Sequence, residues 1–72
     1  MKLSEVEECK KYKFMVCVDD AMKKILKSYG FIKGVDVWVK NKSKKVYVVE
    51  VLGSKFAINK DLAEIILLAE CN

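Results

Sequence analysis

The sequence predicts a mainly β protein, a small β-barrel with one α-helix inserted after the first strand. Three observations lead there. Apolar residues alternate with others at a spacing of two through residues 12–18 and 35–40, and an apolar run follows at 46–52. Only residues 19–30 combine helical spacing with clear start and stop signals. The chain has 72 residues, 53% of them hydrophobic, which suffices for one core near the lower limit of independent folding. A single domain over residues 1–72 is therefore expected, and a core of that size supplies only ~3–5 kcal/mol net.

The elements follow in order. Residues Leu3 to Lys11 are charged, with Leu3 and Val6 as the only large apolar side chains, and they predict an extended or turn-like arm pinned by those two. Tyr12 to Val18 predicts a strand with Tyr12, Phe14, Val16 and Val18 on one face. Asp19-Asp20 opens a helix, since either carboxylate caps free backbone N–H groups and suits the positive end of the dipole. Ala21, Met22, Ile25, Leu26 and Tyr29 form its apolar stripe, and Gly30 ends it.

After the turn Phe31-Ile32-Lys33-Gly34, Val35, Val37 and Val39 alternate with Asp36, Trp38 and Lys40. The polar stretch Asn41 to Lys45 makes a hairpin loop, and Val46 to Leu52 returns as a strand. Gly53-Ser54 turns into a short strand, Lys55 to Asn59. Segment 60–69 reads two ways. Leu62, Ala63, Ile65, Ile66 and Ala69 fit one side of a helix, or Asn59 to Glu64 is a single helical turn before a strand at Ile65 to Leu68. Unpaired edges are a liability that a closing strand removes, which favours the second reading.

Composition narrows the function. Histidine is absent, which removes the commonest general base and the commonest transition-metal ligand. Cys9, Cys17 and Cys71 are odd in number, irregularly spaced and form no CxxC, so neither a disulfide framework nor a zinc knuckle is expected. No apolar run approaches the ~18 residues of a membrane span, and Met1 to Glu5 lacks a secretory signal, so a cytoplasmic location is expected. The net charge is +4, yet all 14 basic residues are lysines, spread along the chain among acids. Without arginine there is no bidentate base or phosphate fork, which argues against nucleic acid as a partner.

Candidate sites can be weighed in turn. Glu5, Glu7, Glu8, Cys9 and Cys17 are the only local metal-ligating group, and they match no metal motif; a solvated acidic segment with a buried thiol at Cys17 is the better reading. The serines lack an evident base and the three glycines stand apart, so no catalytic residue, cofactor, metal site or small-molecule substrate is expected. Lys40 to Lys45 reads as a solvated hairpin tip. An interaction surface has more content. With Val35, Val37 and Val39 inward, hairpin parity sends Tyr47, Val49 and Val51 inward as well. Trp38, Val46, Val48 and Leu52 then point outward as candidate partner contacts, tryptophan being a common interface anchor. The competing reading is that the helix or the arm covers this face.

The order of these features resembles the FeoA family, ferrous iron transport protein A, over nearly the whole chain. Leu26, Gly30, Phe31 and Gly34 match the family's helix-to-turn element, and Val37 and Val39 match its next strand. Gly53, Ala57, Ile58, Leu62, Ala63, Ile65 and Leu67 match the remainder, and Leu3-Ser4-Glu5-Val6 resembles the usual opening. Lys33 stands where a proline is usual, and Cys9 and Tyr12 where glycines are common. The resemblance implies an SH3-like barrel. It also implies a non-catalytic cytosolic accessory of ferrous iron uptake, peripheral to the inner membrane face through contact with the FeoB membrane transporter. Similar domains end metal-dependent DNA-binding repressors. This chain has no winged-helix segment and is expected not to be such a repressor, so the alternative is a freestanding regulatory module that binds a repressor or nucleic acid. Self-association through the 35–52 hairpin is a third expectation.

Overall fold

The computed structural model describes residues 1–70, so Cys71 lies outside the described residues. A 3₁₀ turn at Leu3–Glu5 leads into β1 (Lys10–Cys17) and α1 (Asp20–Ser28). Then come β2 (Asp36–Lys42), β3 (Val46–Val51), β4 (Ser54–Asn59), the single turn α2 (Lys60–Ala63) and β5 (Ile66–Glu70). The strands form one antiparallel sheet in the order β4-β3-β2-β1-β5. This mainly β, SH3-like architecture agrees with the expected fold class, and segment 60–69 is a helical turn followed by a strand. The expected closure does not occur. β5 adds to β1, and β4 and β5 remain unpaired with each other, with α2 carrying the chain between them.

Each local element has a visible cause. The Asp19 carboxylate accepts the Met22 N–H at 3.0 Å and caps α1. At the other end Gly30 takes φ +100°, its N–H reaches the Lys27 carbonyl at 3.1 Å, and the Phe31 N–H reaches Leu26 at 3.0 Å. That pair of bonds is a Schellman motif, with buried Phe31 and Leu26 supplying its apolar contact. The Asn59 side chain caps α2 by accepting the Leu62 N–H at 2.8 Å.

The core lies on the concave face of the sheet. Tyr12 and Phe14 of β1, Val37 and Val39 of β2, and Tyr47, Val49 and Val51 of β3 are buried there. They meet Ile58 of β4 and Ile66 and Leu68 of β5. Leu3 and Val6 of the arm are buried too, at 1% and 2% exposure, so the arm is part of the core. Phe14, Phe31 and Phe56 pack in sequence, the first pair edge-to-face and the second tilted, with centroids 5.7 and 5.3 Å apart. The arm is fastened at several points. The Met1 amino group donates to the Leu68 carbonyl at 2.7 Å, and the Leu68 N–H donates back to Met1 at 2.6 Å. The Glu7 N–H donates to the Tyr12 hydroxyl at 2.9 Å, and the Lys42 ammonium to the Val6 carbonyl at 2.8 Å.

Several expectations are corrected. β1 begins at Lys10 rather than Tyr12, and a bulge at Met15 breaks its alternation between Phe14 and Val16. Cys17 is therefore buried, whereas Val16 is half-buried and Val18 is exposed. β2 runs on to Lys42 across a second irregularity between Val39 and Asn41, which shortens the loop to residues 43–45. In α1 only Leu26 is buried and Met22 half-buried, while Ala21, Ile25 and Tyr29 stand exposed. The helix lies across a small sheet and meets it along a line narrower than its apolar stripe.

Because Leu3 belongs to the core, Leu3→Ala is expected to cost about 2–5 kcal/mol. In urea denaturation this reads as a lower midpoint with an unchanged slope.

Candidate interaction surface

The outer face of the sheet is built by strand pairing. Trp38 lies opposite Lys11 on β1 and Glu50 on β3, and Val48 lies opposite Ala57 on β4. Since Val37, Val39, Tyr47 and Val49 point into the core, parity turns Trp38, Val46 and Val48 outward. Trp38 is 37% and Val46 39% exposed, and Val48 is half-buried. Neither the helix nor the arm covers this face. Trp38 is instead flanked by lysines, with Lys40 Nζ 3.2 Å from its ring centroid and Lys11 Nζ at 5.0 Å. Such cation–π contacts contribute about 0.5–1 kcal/mol at exposed sites. Lys40 also pairs with Glu50 at 3.8 Å. The result is an aromatic and aliphatic patch under a basic fringe.

Leu52 does not join that patch, which corrects the expected set of four. β3 ends at Val51, and Val51 pairs with Ser54, so Leu52-Gly53 is a two-residue hairpin turn. Both residues have positive φ, +51° and +82°. That is the signature of a type I′ turn, where asparagine-glycine is the preferred pair and leucine is strained. Leu52 is 72% exposed and leans toward the end of α1, where a Cβ built on Gly30 would lie 2.8 Å from its Cδ1. Nearby on α1, the exposed Ile25 and Tyr29 line an apolar groove with Phe56, the Tyr29 ring packing on Phe56 at 5.6 Å. This second apolar surface was hidden in the sequence because Ile25 and Tyr29 carry helical core spacing.

Among the described residues no three of His, Cys, Asp or Glu are placed to hold a metal ion. Cys9 is exposed and Cys17 buried, both free thiols. Glu5, Glu7 and Glu8 are exposed, and two of the three have structural tasks: Glu5 accepts the Lys2 N–H at 2.8 Å and Glu8 the Lys42 N–H at 2.9 Å. Ser43 closes the β2–β3 loop by donating its hydroxyl to the Val46 carbonyl at 2.8 Å. Among the described residues no helix is long and apolar enough to cross a membrane.

No charged side chain is buried among the described residues, and the notable electrostatics are local pairs. Lys13 Nζ lies 2.5 Å from Asp36 Oδ1, and this hydrogen bond and charge hold the Asp36 carboxyl below its ordinary value. A hydrogen bond from Ser4, with Lys2 beside it at 3.4 Å, lowers Glu64 likewise.

Two measurements check these features. Leu52→Asn relieves the turn, so it is expected to stabilise the fold by about 1 kcal/mol and to raise Tm by roughly 4–8 °C. In an NMR titration Asp36 and Glu64 should protonate below ordinary carboxylates, and Lys13→Met should return Asp36 to the ordinary range. Both carboxyls are depressed in the fold, so their contribution is complete above the unfolded-state values and is lost as pH falls through the depressed ones.

The chain can now be set beside known proteins. The family model described as the FeoA domain matches residues 1–70. No curated protein matches the sequence significantly. Among solved structures, the FeoA protein of Chlorobium tepidum superposes with a TM-score of 0.88 at 21% identity, covering 100% of this chain and 71% of that one. FeoA of Stenotrophomonas maltophilia in complex with zinc gives 0.81 at 24% identity, covering 94% and 88%; it is described as a prokaryotic SH3 domain protein and candidate ferrous iron transport activating factor. A manganese-dependent transcriptional repressor gives 0.85 at 12% identity, covering 99% of this chain and 41% of the repressor. These likenesses are likenesses of fold, whereas the family match spans nearly every residue, and by it this chain belongs to the FeoA family.

Proposed function

We propose that this protein is a single FeoA-like domain serving as a non-catalytic cytosolic accessory of ferrous iron uptake, acting by contact with a FeoB-type membrane transporter. The observation that carries the reading is the family match over residues 1–70. The candidate ferrous iron transport activating role given for the Stenotrophomonas protein agrees with it. The contact is assigned to the outer face of the sheet, with Trp38 as anchor and Val46 and Val48 beside it. An exposed tryptophan next to aliphatic side chains desolvates well on docking, and the fringe of Lys11 and Lys40 suits an acidic rim on the partner. Leu52, on a separate surface, serves as a secondary contact whose strained backbone is retained for its side chain.

A second reading draws on the likeness to the manganese-dependent repressor. In it the domain is a freestanding regulatory module that binds such a repressor or nucleic acid. Strong retention on DNA at low salt, lost steeply as salt rises, would favour this alternative.

Affinity capture under reducing conditions tests the main reading. The wild-type protein is expected to retain the FeoB-type transporter, and Trp38→Glu to lose at least tenfold of that retention while unfolding at the same temperature. A Trp38→Glu protein that folds and binds like the wild type would remove the outer face from consideration.

A further inference from the structure

Where α1 crosses the end of β1, the sheet leaves a recess. Pairing of β1 with β2 stops at Lys13–Asp36. Two further bonds follow, from the Phe14 N–H to the Val35 carbonyl at 2.9 Å and from the Gly34 N–H to the Phe14 carbonyl at 2.8 Å. From there to Cys17, β1 has β5 on one side and no strand on the other. A cavity of 220 Å³ opens in that gap, between β1, α1 and the turn that precedes β2. Consecutive residues Phe14, Met15 and Val16 all line it. Regular alternation along a strand disfavours that, and the bulge between Phe14 and Val16 permits it. The buried Phe14 and Phe31 form the deep side, while Met15 and Ile32, 38% and 52% exposed, stand at the opening.

The same cavity is basic. Lys23 and Lys27, one helical turn apart on α1, and Lys33 of the following turn all line it, and all three are exposed. Among the described residues no acidic side chain lines it. Lys23 meets Asp20 at 3.7 Å, both side chains being exposed, and among the described residues Lys27 and Lys33 are in no salt bridge. Three cations gathered around one apolar hollow repel one another, and an anion placed there relieves that repulsion. An apolar cavity of about 150 Å³ accepts a benzene-sized group. At 220 Å³ this one takes a larger body, such as a short alkyl chain or a fused ring.

We propose that this recess binds a small amphipathic anion, its apolar body seated against Phe14, Met15 and Ile32 and its head held by Lys23, Lys27 and Lys33. Apolar walls supply the burial and a few convergent charges fix the orientation, as in small-molecule sites generally. Carboxylate and phosphate heads share this chemistry, because lysine acts as a point charge without a fork of fixed geometry. Neither Trp38 nor Leu52 lines the recess, and nor do Ile25 and Tyr29, so the proposal stands apart from the transporter contact.

The probes are octanoate and octyl phosphate, each titrated into the isotope-labelled full-length chain and followed by NMR. The Met15 methyl and the amides of Ile32 and Lys33 should shift and saturate at submillimolar concentration with at least one of them, the tighter probe identifying the head. Acetate, which lacks the body, and octylammonium, of opposite charge, should bind at least tenfold more weakly. Lys27→Gln combined with Lys33→Gln removes two exposed charges without touching the core, and should weaken the tighter probe at least tenfold. The charge-matched pair Lys44→Gln and Lys45→Gln should leave its binding unchanged. Ile32→Asn, at the exposed wall, should weaken it at least threefold. The proposal is overturned if neither probe moves those signals up to millimolar concentration, if octylammonium binds equally, or if the charge-matched pair loses as much. Retention on vesicles of equal phosphatidylglycerol and phosphatidylcholine, with no shifts from either monomeric probe, would make the recess a membrane contact and overturn it as well.

Discussion

The pairing of β1 with β5 is the constraint on which the rest depends. It joins residues near the two ends of the described chain, Tyr12 to Glu70 and Cys17 to Ile66, and so ties both ends into one sheet. Only with β5 in place can Met1 and Lys2 fasten to its far side and bring Leu3 and Val6 over the core. Such long-range contacts are entropically expensive to form. A chain this short recovers the cost by burying nearly every inward side chain, and by fastening the arm with backbone and side-chain hydrogen bonds beside the exposed Lys2–Glu64 pair.

The bulge at Met15 is part of the same solution. β1 must pair with β2 near its start and with β5 from Tyr12 to Cys17, and the extra residue lets it bend between them. Its side effect is to exchange Val16 for Cys17 on the inner face. The open seam between β4 and β5 follows from the same geometry. Five short strands curl far enough to enclose the core, and the turn α2 fills the remaining gap with buried Ala63 and half-buried Leu62.

Most of the fold could be read from residues. Helix start and stop were legible because Asp19 and Gly30 act locally, through a cap and a Schellman turn. The inward set of the 35–51 hairpin was legible because its facing is fixed by parity. What escaped was anything decided at a distance. The bulge at Met15 depends on two neighbouring strands at once. The exposure of Ile25 and Tyr29 depends on how much sheet the helix finds beneath it. The left-handed backbone of Leu52 depends on the register of β3 and β4, since leucine itself argues against it. For the same reason the candidate contact set came apart. Three of its members share a face by local alternation, and the fourth was assigned to a strand that ends one residue earlier.

The absence of any charged side chain from the interior of the described residues has an evolutionary reading. When the interior is held by apolar contact, most of the ionic exterior is free to drift: an exposed lysine that makes no structural bond can be traded for a glutamate without reaching the core. One scaffold can then carry differently charged surfaces while its architecture stays fixed. Low sequence identity alongside close superposition is what such freedom leaves behind.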